Sequence, residues 1–390
     1  MYYNRFNDEI SLSALGLGTM RLPTNTAPSD IDRSKAAEII EYAYEHGVNY
    51  FDTAYRYHDG EAEKFAGEIL SRYPRESYYL ASKMPGHQMK YENGKLGFSG
   101  YLSRLEVKSI PELFEEQLEK CRTPYFDFYL LHNVNESSID FYTNEELGVV
   151  RYLMEQKEKG RIKHLGFSSH GKPETIRRML DTYGCFEFVQ IQLNYLDWTL
   201  QDAKTKYELL SSRGIPVVVM ESARGGALTR LPETAQNILR EMRPGMSIAS
   251  WAFRFLQSLP GVMVALSGMS DMNALRDNLQ TFDERDPLSE EEMKVLLEKV
   301  VPSMADIIPC TACRYCCDVC TQELSIPDLI SLYSEASFAG TKGGTVGMSL
   351  RNIPEDKLPT ACVGCGECKK VCPQGIDIPS IMEKFSAMLG

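Results

Sequence analysis

Short apolar runs alternate with amphipathic stretches along residues 1–285. Eight of the apolar runs are candidate strands, namely ALGLGTM, YFDTA, YYLASK, FYLLH, HLGFSS, FVQIQLN, VVVMES and VMVALSG. Helical patterns lie between them, such as SKAAEIIEYAYEHG, AEKFAGEILSRY, IPELFEEQLEKC and IASWAFRFLQSL. Eight strand–helix units of this kind predict an α/β protein built on a (β/α)8 TIM barrel, whose usual length is about 250 residues.

A doubly wound sheet is the alternative architecture for alternating strands and helices. That fold would place a glycine-rich G-x-G-x-x-G turn directly after the first strand. The segment GLGTMRLP does not supply this turn. The pattern therefore favours the barrel.

The last quarter of the chain has a different pattern, because nine of the eleven cysteines lie after residue 309. Eight of them form two runs with the spacing C-x2-C-x2-C-x3-C. The first run is Cys310, Cys313, Cys316 and Cys320, and the second is Cys362, Cys365, Cys368 and Cys372. In a reducing compartment, grouped cysteines indicate metal ligands before disulfides.

Each run has the spacing of a ligand set for a cubane 4Fe-4S cluster. In two-cluster ferredoxins the fourth cysteine of each run ligates the other cluster. The crossing assigns Cys310, Cys313, Cys316 and Cys372 to cluster I, and Cys362, Cys365, Cys368 and Cys320 to cluster II. A pair of zinc sites is the alternative, although zinc prefers paired C-x2-C knuckles separated by a longer loop. Cys317 lies outside both runs and is either a packed thiol or a fifth ligand.

We expect two domains, a barrel over residues 1–285 and a mostly helical, ferredoxin-like iron–sulfur domain over residues 286–390. Ser289 and Glu292 form a capping box for a linker helix between them. Two further helices are predicted in SIPDLISLYSEASFAG and IDIPSIMEKFSAML. The glycine-rich segment between them, GTKGGTVGMSLRNIPEDKLPT, is predicted to be a loop.

Composition restricts the partners. The net charge of −12 argues against a nucleic-acid or anionic-membrane surface, since both would repel the protein. No apolar run approaches the roughly 18 residues needed to span a bilayer. The start, MYYNRFNDEISLSALGLGTMRLP, lacks the basic head and apolar core of a secretory signal. We therefore expect a cytoplasmic protein without nucleic-acid or membrane partners.

Polar side chains follow the predicted strands at the carboxyl end of the barrel, which is where barrel enzymes place their active sites. The second strand ends in Asp52, and Tyr57 follows in the next loop. The third strand ends in Lys83 and the fourth in His132. An aspartate, a tyrosine, a lysine and a histidine are thus expected to converge on one rim.

Five segments together resemble the signature segments of the aldo-keto reductases in order and spacing: FDTAYRYHDGEAE, ASK, YLLH, GFSS and VQIQLN. With its cysteine-rich end, the chain is similar to the bacterial branch of that family with a C-terminal ferredoxin-type domain. The resemblance implies a catalytic tetrad of Asp52, Tyr57, Lys83 and His132. Tyr57 would donate the proton, with a pKa brought toward neutrality by the ammonium of Lys83. Asp52 would orient Lys83, and His132 would donate a hydrogen bond to the substrate oxygen.

The resemblance also implies bound NADP(H) or NAD(H), but three family features differ here. Ser168–Ser169 stand where the family has a serine–asparagine pair, and Met220 stands where an aromatic side chain stacks on the nicotinamide. Gly268 and Ala274 replace the lysine and arginine that bind the 2′-phosphate. FMN is the alternative cofactor. The residues predicted to bind the cofactor are Ser168, Ser169, Gln190, Met220, Glu221, Gly225, Gly226, Ser267, Gly268, Ser270, Arg276 and Asn278.

Iron–sulfur clusters transfer one electron at a time, whereas nicotinamide transfers a hydride, which carries two. A protein with both must store electrons or convert between one-electron and two-electron transfer. We expect an oxidoreductase that reduces a carbonyl or conjugated enone, with a ferredoxin- or flavodoxin-type protein as a further electron donor. Two alternatives are an FMN-containing barrel fed by the clusters, and an electron-transfer or redox-sensing protein that uses the barrel as a scaffold.

Overall fold

The computed structural model describes residues 1–25, 29–92, 94–98, 109–304, 308, 310, 315–341, 344–372 and 375–390. The chain folds into two compact units. The barrel unit contains residues 1–223 and 249–289, and the C-terminal unit contains residues 224–248 and 290–390. The predicted single boundary at residue 285 differs from this division by residues 286–289 and by the segment 224–248.

The strands of the described residues are β1 (Tyr3–Arg5), β2 (Ser11–Ser13), β3 (Leu15–Gly18), β4 (Tyr50–Asp52), β5 (Tyr79–Met84), β6 (Met89–Glu92), β7 (Lys95–Phe98), β8 (Phe126–Leu131), β9 (Ile162–Ser169), β10 (Phe188–Gln192), β11 (Val217–Met220) and β12 (Val262–Ser267). Eight of them form a closed parallel barrel in the order β3-β4-β5-β8-β9-β10-β11-β12, with β12 pairing back to β3. The predicted TIM barrel is confirmed, and each predicted strand coincides with a barrel strand.

The α-helices are α1 (Arg33–Glu45), α2 (Glu61–Leu70), α3 (Ile110–Lys120), α4 (Ile139–Tyr142), α5 (Val149–Glu158), α6 (Pro173–Thr182), α7 (Asp197–Leu200), α8 (Ala203–Ser212), α9 (Glu233–Met242), α10 (Ile248–Gln257), α11 (Met272–Thr281), α12 (Glu290–Val295), α13 (Tyr315–Asp318), α14 (Ile326–Ala339), α15 (Gly344–Arg351), α16 (Glu367–Lys370) and α17 (Ile378–Leu389). Local sequence sets several helix starts. Asp32 caps α1, and Ser109 with Glu112 forms a capping box at α3. None of the described helices is long and apolar enough to cross a membrane.

Aromatic and aliphatic side chains fill the end of the barrel that the N-terminal hairpin contacts. Phe6, in the hairpin formed by β1 and β2, meets Phe128 edge-on with ring centroids 5.2 Å apart. Phe128 in turn contacts Phe188 in the same way, at 5.2 Å. This core fills the interior of the barrel. The side chains at the carboxyl ends of the strands remain available to form a site.

The insert after Lys83 begins with an antiparallel hairpin of β6 and β7, which the sequence did not predict. Phe98 at the end of β7 is buried and stacks on Tyr55 with ring centroids 6.2 Å apart. The rest of the insert, up to residue 108, lies outside the described residues.

The C-terminal unit has its own apolar core, built mainly by α14 and α17 around Leu329, Tyr333 and Phe385. Both helices match predicted ones. The glycine-rich segment between them was predicted to be a loop, and this was wrong for residues 344–351, which form α15. Val346 is buried in the core and Leu350 packs against it, so apolar contacts outweigh the low helix propensity of glycine.

The segment 224–248 contributes a turn at Arg224–Thr229 and helix α9 to this unit. Two ion pairs hold it to the rest of the unit. Arg243 pairs with Glu292, with Nη2 and Oε2 2.9 Å apart. Arg224 and Glu335 are both almost fully buried, and their closest charged atoms are 3.7 Å apart.

Candidate active site and cluster-binding cysteines

Three of the four predicted tetrad residues form one hydrogen-bonded group. Lys83 Nζ donates to Asp52 Oδ1 at 2.6 Å, to the carbonyl oxygen of Thr53 at 2.7 Å, and to the hydroxyl of Tyr57 at 3.4 Å. Lys83 is fully buried, whereas Tyr57 is only partly so. The parallel pairing of β4 with β5 sets Asp52 opposite Ala81, two residues before Lys83, so both side chains project from neighbouring strand ends.

The charges of this group follow from burial and from contact. Burial opposes the charge on Lys83, but Asp52 and Tyr57 outweigh it and raise the pKa of Lys83, so the ammonium persists at neutral pH. Burial also raises the pKa of Tyr57, and Lys83 lowers it by less. Lys83 therefore acts in the predicted direction, but burial outweighs it and the net pKa of Tyr57 is raised. The phenol stays protonated, as a proton donor must be.

An unusual stretch of backbone orients Tyr57. The turn Tyr57–Gly60 has left-handed residues at His58, Asp59 and Gly60, with φ of 51°, 56° and 94°. Such angles are strained for residues with a side chain, and Gly60 adopts the largest of them. The turn leads directly into α2, which fixes the position of the phenol relative to Lys83.

His132 follows β8 and completes the tetrad, with its ring edge-on to Tyr57 at a centroid distance of 5.9 Å. Its Nδ1 is buried and has no hydrogen-bond partner in the described part of the chain. Burial, followed by the nearby His87 and Lys83, lowers the pKa of His132 well below its usual value. The imidazole is therefore neutral and can donate one hydrogen bond.

Two residues that contact His132 were not predicted from the sequence. His87 lies against His132, with ring centroids 4.4 Å apart. The hydroxyl of Tyr142 lies 2.7 Å from the carbonyl oxygen of His132 and 3.1 Å from that of Met84. It also accepts the backbone N–H of His87 at 3.1 Å. Both lie in loop or short-helix segments without a motif, so only the folded chain brings them to the site.

The two serines predicted to bind the cofactor, Ser168 and Ser169, are buried and already hydrogen-bonded within the protein. Ser168 Oγ accepts the N–H of Asn133 at 2.8 Å. Ser169 Oγ donates to the carbonyl of Val134 at 2.6 Å and accepts the N–H of Gly171 at 3.0 Å. These hydroxyls support the strand-end loops.

Gln190 and Glu221 differ from the serines because each has a buried oxygen without a hydrogen-bond partner among the described residues. Gln190 is 2% exposed, and its Nε2 approaches Met220 Sδ at 3.7 Å. Glu221 follows Met220 directly at the end of β11 and pairs with Arg21, with Nη2 and Oε1 3.1 Å apart. These two oxygens are the clearest available acceptors among the predicted cofactor residues.

The remaining predicted cofactor residues have other surroundings. A side chain at Gly268 would meet Arg21 Cβ at 2.9 Å, so Arg21 takes the space that this glycine leaves. Ser270 directly precedes Asp271, which caps α11 by accepting the N–H groups of Asn273 and Ala274. Asn278 Nδ2 donates to Ser267 Oγ at 3.0 Å, and Arg276 lies over the Tyr42 ring. Gly225 and Gly226 have positive φ and lie in the turn of the C-terminal unit.

A buried carboxyl group supports the strand that carries Lys83. Glu63 Oε1 accepts hydrogen bonds from Ser82 Oγ at 2.5 Å and Gln117 Nε2 at 2.6 Å. Gln117 Nε2 also contacts the carbonyl oxygen of Lys83 at 3.1 Å. Burial raises the pKa of Glu63 to about 7, despite the lowering effect of the two hydrogen bonds. A glutamate on the apolar face of α2 was the sequence signal for this network.

We expect the folded protein to lose stability as Glu63 ionises. The folded pKa lies above the unfolded value of 4.5, so the stabilising effect is complete below about pH 4.5 and is lost as pH rises through about 7. The loss amounts to roughly 3 kcal/mol. Glu63→Gln cannot ionise, so its free energy of unfolding relative to wild type should rise between about pH 5 and pH 8. Denaturant titrations of the anaerobic protein measure this difference, with Glu61→Gln on the same helix as control. Parallel pH curves for wild type and Glu63→Gln would contradict it.

Four cysteines line one cavity in the C-terminal unit: Cys320, Cys362, Cys365 and Cys368. One of them comes from the first run and three from the second, which is the set predicted for cluster II. Among the described residues, no three His, Cys, Asp or Glu side chains are arranged to share a single metal ion. A cubane carries its own sulfides between its ligands, so four cysteines around one cavity are a suitable ligand set for a cluster.

The cluster I cysteines are described only in part, because Cys313 lies outside the described residues. Cys316 is buried, and Cys310 and Cys372 pack against the same core. Burial, followed by the neighbouring Cys317 and Cys310, raises the pKa of the Cys316 thiol to about 12. Burial and the other cavity cysteines likewise raise the pKa of the Cys368 thiol to about 11. Such thiols favour the thiolate only when a cation compensates the charge.

Known proteins resemble the two parts of the chain separately. Residues 14–300 match the profile of the Aldo/keto reductase family, and residues 309–376 match that of the 4Fe-4S dicluster domain. The uncharacterized oxidoreductase YqkF of Bacillus subtilis (strain 168) is 26% identical over 310 residues, covering 74% of this chain and 92% of its own. An NADH-specific methylglyoxal reductase of Escherichia coli (strain K12) is 28% identical over 224 residues, covering 57% and 67%.

Solved structures share the barrel fold. The holo form of the aldo-keto reductase AKR11C1 from Bacillus halodurans has a TM-score of 0.59 and 24% identity, covering 80% of this chain and 98% of its own. An aldo/keto reductase from Klebsiella pneumoniae, in complex with NADP and acetate, has a TM-score of 0.59 and 20% identity, covering 78% and 99%. From the family profile over most of its length, together with the closed barrel, we conclude that the chain is an oxidoreductase of the aldo/keto reductase family with a C-terminal 4Fe-4S dicluster domain.

Proposed function

We propose that the protein reduces a small carbonyl compound or conjugated enone at the barrel mouth, with NAD(P)H as hydride donor and Tyr57 as proton donor. The observation that carries the proposal is the contact of Lys83 with both Asp52 and Tyr57. A buried lysine that joins a carboxylate to a protonated phenol places a proton donor and a compensating cation at one point. A barrel used only as a scaffold would have no use for this arrangement.

Each residue of the site would have a separate role in the reduction. As the oxygen of the carbonyl gains negative charge, the Tyr57 hydroxyl transfers its proton to that oxygen, and Lys83 stabilises the phenolate that remains. Neutral His132 donates a hydrogen bond to the same oxygen. Asp52 keeps Lys83 charged and oriented. The product is an alcohol, and the phenolate is reprotonated from solvent.

The nicotinamide, when bound, supplies two electrons and one hydrogen as hydride to the carbonyl carbon. Two buried acceptors on the rim suit the N–H groups of such a ring amide, namely Gln190 Oε1 and Glu221 Oε2. The names of two similar proteins support the same class, since one is an NADH-specific methylglyoxal reductase and the other is in complex with NADP. The cysteines of the dicluster domain would hold two 4Fe-4S clusters, which supply one-electron chemistry.

A flavin in the barrel is the second candidate, and specific observations favour it. Met220 stands in place of the family's stacking aromatic residue, and the hydroxyls of Ser168 and Ser169 are bonded within the protein. In that case FMN would exchange electrons with the clusters one at a time.

The test is anaerobic purification followed by assays of NADH and NADPH oxidation with a panel of aldehydes that includes methylglyoxal. We expect turnover with at least one nicotinamide, no flavin released on denaturation, and iron and sulfide in equal amounts. Turnover with neither nicotinamide, together with FMN in the released fraction, would favour the second candidate and contradict the first.

A further inference from the structure

Glu221 holds a carboxylate at the barrel mouth in a way that its pairing with Arg21 does not explain. One oxygen, Oε1, lies 3.1 Å from Arg21 Nη2. The other, Oε2, is buried and has no hydrogen-bond partner among the described residues. Leaving a charged oxygen buried without a donor is costly. A ligand that brings a donor or a positive charge would remove that cost.

The backbone around Glu221 is built to keep the side chain in this position. Its φ of 57° lies in the left-handed region, which is unfavourable for a residue with a side chain. Asn194, which is fully buried, donates from Nδ2 to the carbonyl oxygen of Glu221 at 3.0 Å. The same Nδ2 lies 2.6 Å from Asp197 Oδ2, so Asn194 is itself fixed. These buried hydrogen bonds therefore hold the backbone of Glu221 in its left-handed conformation.

The carboxylate belongs to the residue that directly follows β11, at the carboxyl end of a barrel strand. Burial raises the pKa of Tyr57 and lowers that of His170, and the charge of Glu221 adds to the first shift and opposes the second. Arg21 offsets this charge only in part, because the Arg21 side chain is 31% exposed and that of Glu221 is 15% exposed. Water screens the more exposed partner more strongly. Arg21 contacts only Oε1 of Glu221, so Oε2 keeps negative charge that no donor among the described residues offsets.

A negative field discriminates between the two forms of a nicotinamide. The ring of NAD(P)H is neutral, and it becomes a pyridinium cation when its hydride leaves for the carbonyl carbon. A fixed carboxylate near that ring attracts the cation and leaves the neutral form almost unaffected. Binding that strengthens as the charge develops also favours hydride transfer from the reduced cofactor.

We propose that Glu221 is a specificity-determining residue that makes the barrel bind the oxidised, pyridinium form of the nicotinamide more tightly than the reduced form. This inference rests on the proposed function, since it requires a nicotinamide at the mouth. The family resemblance implies an aromatic side chain at the end of β11 that stacks on the nicotinamide. In this protein Met220 stands there, and the neighbouring Glu221 would interact with the ring through its charge.

The test compares Kd values for NADP+ and NADPH, and for NAD+ and NADH, by calorimetry on the anaerobic holoprotein. Glu221→Gln keeps the size and an oxygen that can accept from the ring amide, and removes only the charge. The oxidised form should therefore bind roughly tenfold more weakly, equivalent to about 1.4 kcal/mol, and the reduced form should lose much less. Arg21→Gln should shift the ratio of the two Kd values in the opposite direction. Glu208→Gln removes an exposed carboxylate of α8 and should change neither value.

The outcomes separate this inference from the function on which it rests. Equal weakening of both forms in Glu221→Gln, or no change in either, would overturn the role of Glu221 while leaving nicotinamide binding established. Absence of binding of any nicotinamide to the wild-type protein would overturn the proposed function, and this inference with it.

Discussion

Replacing Tyr57 with phenylalanine is expected to lower kcat for aldehyde reduction by about 10²- to 10⁴-fold, the usual contribution of a general acid. The phenol is a protonated acid in contact with Lys83, so its loss removes the proton and leaves the charge on the substrate oxygen uncompensated. Folding and cofactor binding should persist, because the hydroxyl makes a long contact of 3.4 Å with Lys83. Steady-state kinetics and calorimetric Kd values for NAD(P)H measure the two effects separately.

Tyr55→Phe is the matched control, since it deletes the same group two residues away. The hydroxyl of Tyr55 donates to Glu116 Oε2 at 3.3 Å, away from the tetrad. This variant should keep nearly the full rate. If Tyr57→Phe also kept most of its rate, the acid would lie elsewhere, with His132 as the first candidate.

Replacing two cysteines that ligate the same cluster should remove that cluster and leave the other in place. Cys320 and Cys365 come from different runs but line the same cavity. The wild-type protein is expected to hold about eight irons per chain, by analogy with two-cluster ferredoxins. Cys320→Ala combined with Cys365→Ala should leave about four, because both substitutions act on cluster II. Iron and sulfide analysis of anaerobically purified protein gives the count.

The comparison that tests the crossing is a double variant within one run. Cys316→Ala with Cys320→Ala should remove ligands from both clusters and lose nearly all the iron. Cys317→Ala should leave the iron content unchanged, since Cys317 belongs to neither run. If Cys316→Ala with Cys320→Ala kept half of the iron, the runs would ligate separate clusters and the crossed assignment would be wrong.

These cluster variants are preferable to deletion of the C-terminal domain. The segment 224–248 leaves the barrel unit after β11 and belongs to the same compact unit as the cysteines. Its interactions include the buried pair of Arg224 and Glu335. Deletion of residues after 302 would expose this segment, so loss of activity could reflect misfolding.

The sequence predicted the features that depend on local pattern. Each barrel strand is a short apolar run, because a strand covered on both faces needs apolar side chains throughout. The approach of Asp52 and Lys83 follows from parallel strands that end on one rim. Cysteine spacing anticipated that Cys320 would join the second run, which the cavity supports.

Features that depend on distant contacts were not predictable in the same way. Helix α15 forms in a glycine-rich segment because Val346 reaches the core of the C-terminal unit. Ser168 and Ser169 have the right spacing for a cofactor, but loop carbonyl and N–H groups take their hydroxyls. The net direction of the Tyr57 pKa depends on how far burial outweighs Lys83, which spacing along the chain does not reveal.

Isotope transfer tests the central claim most directly. The anaerobic holoprotein is incubated with an aldehyde and NADPH or NADH carrying deuterium in the transferred position, and the alcohol is analysed by mass spectrometry and NMR. Direct hydride transfer beside Tyr57 predicts one deuterium on the carbinol carbon of every product molecule. Alcohol formed with hydrogen from solvent at that carbon would show that electrons arrive by way of a flavin or the clusters, and would contradict the account.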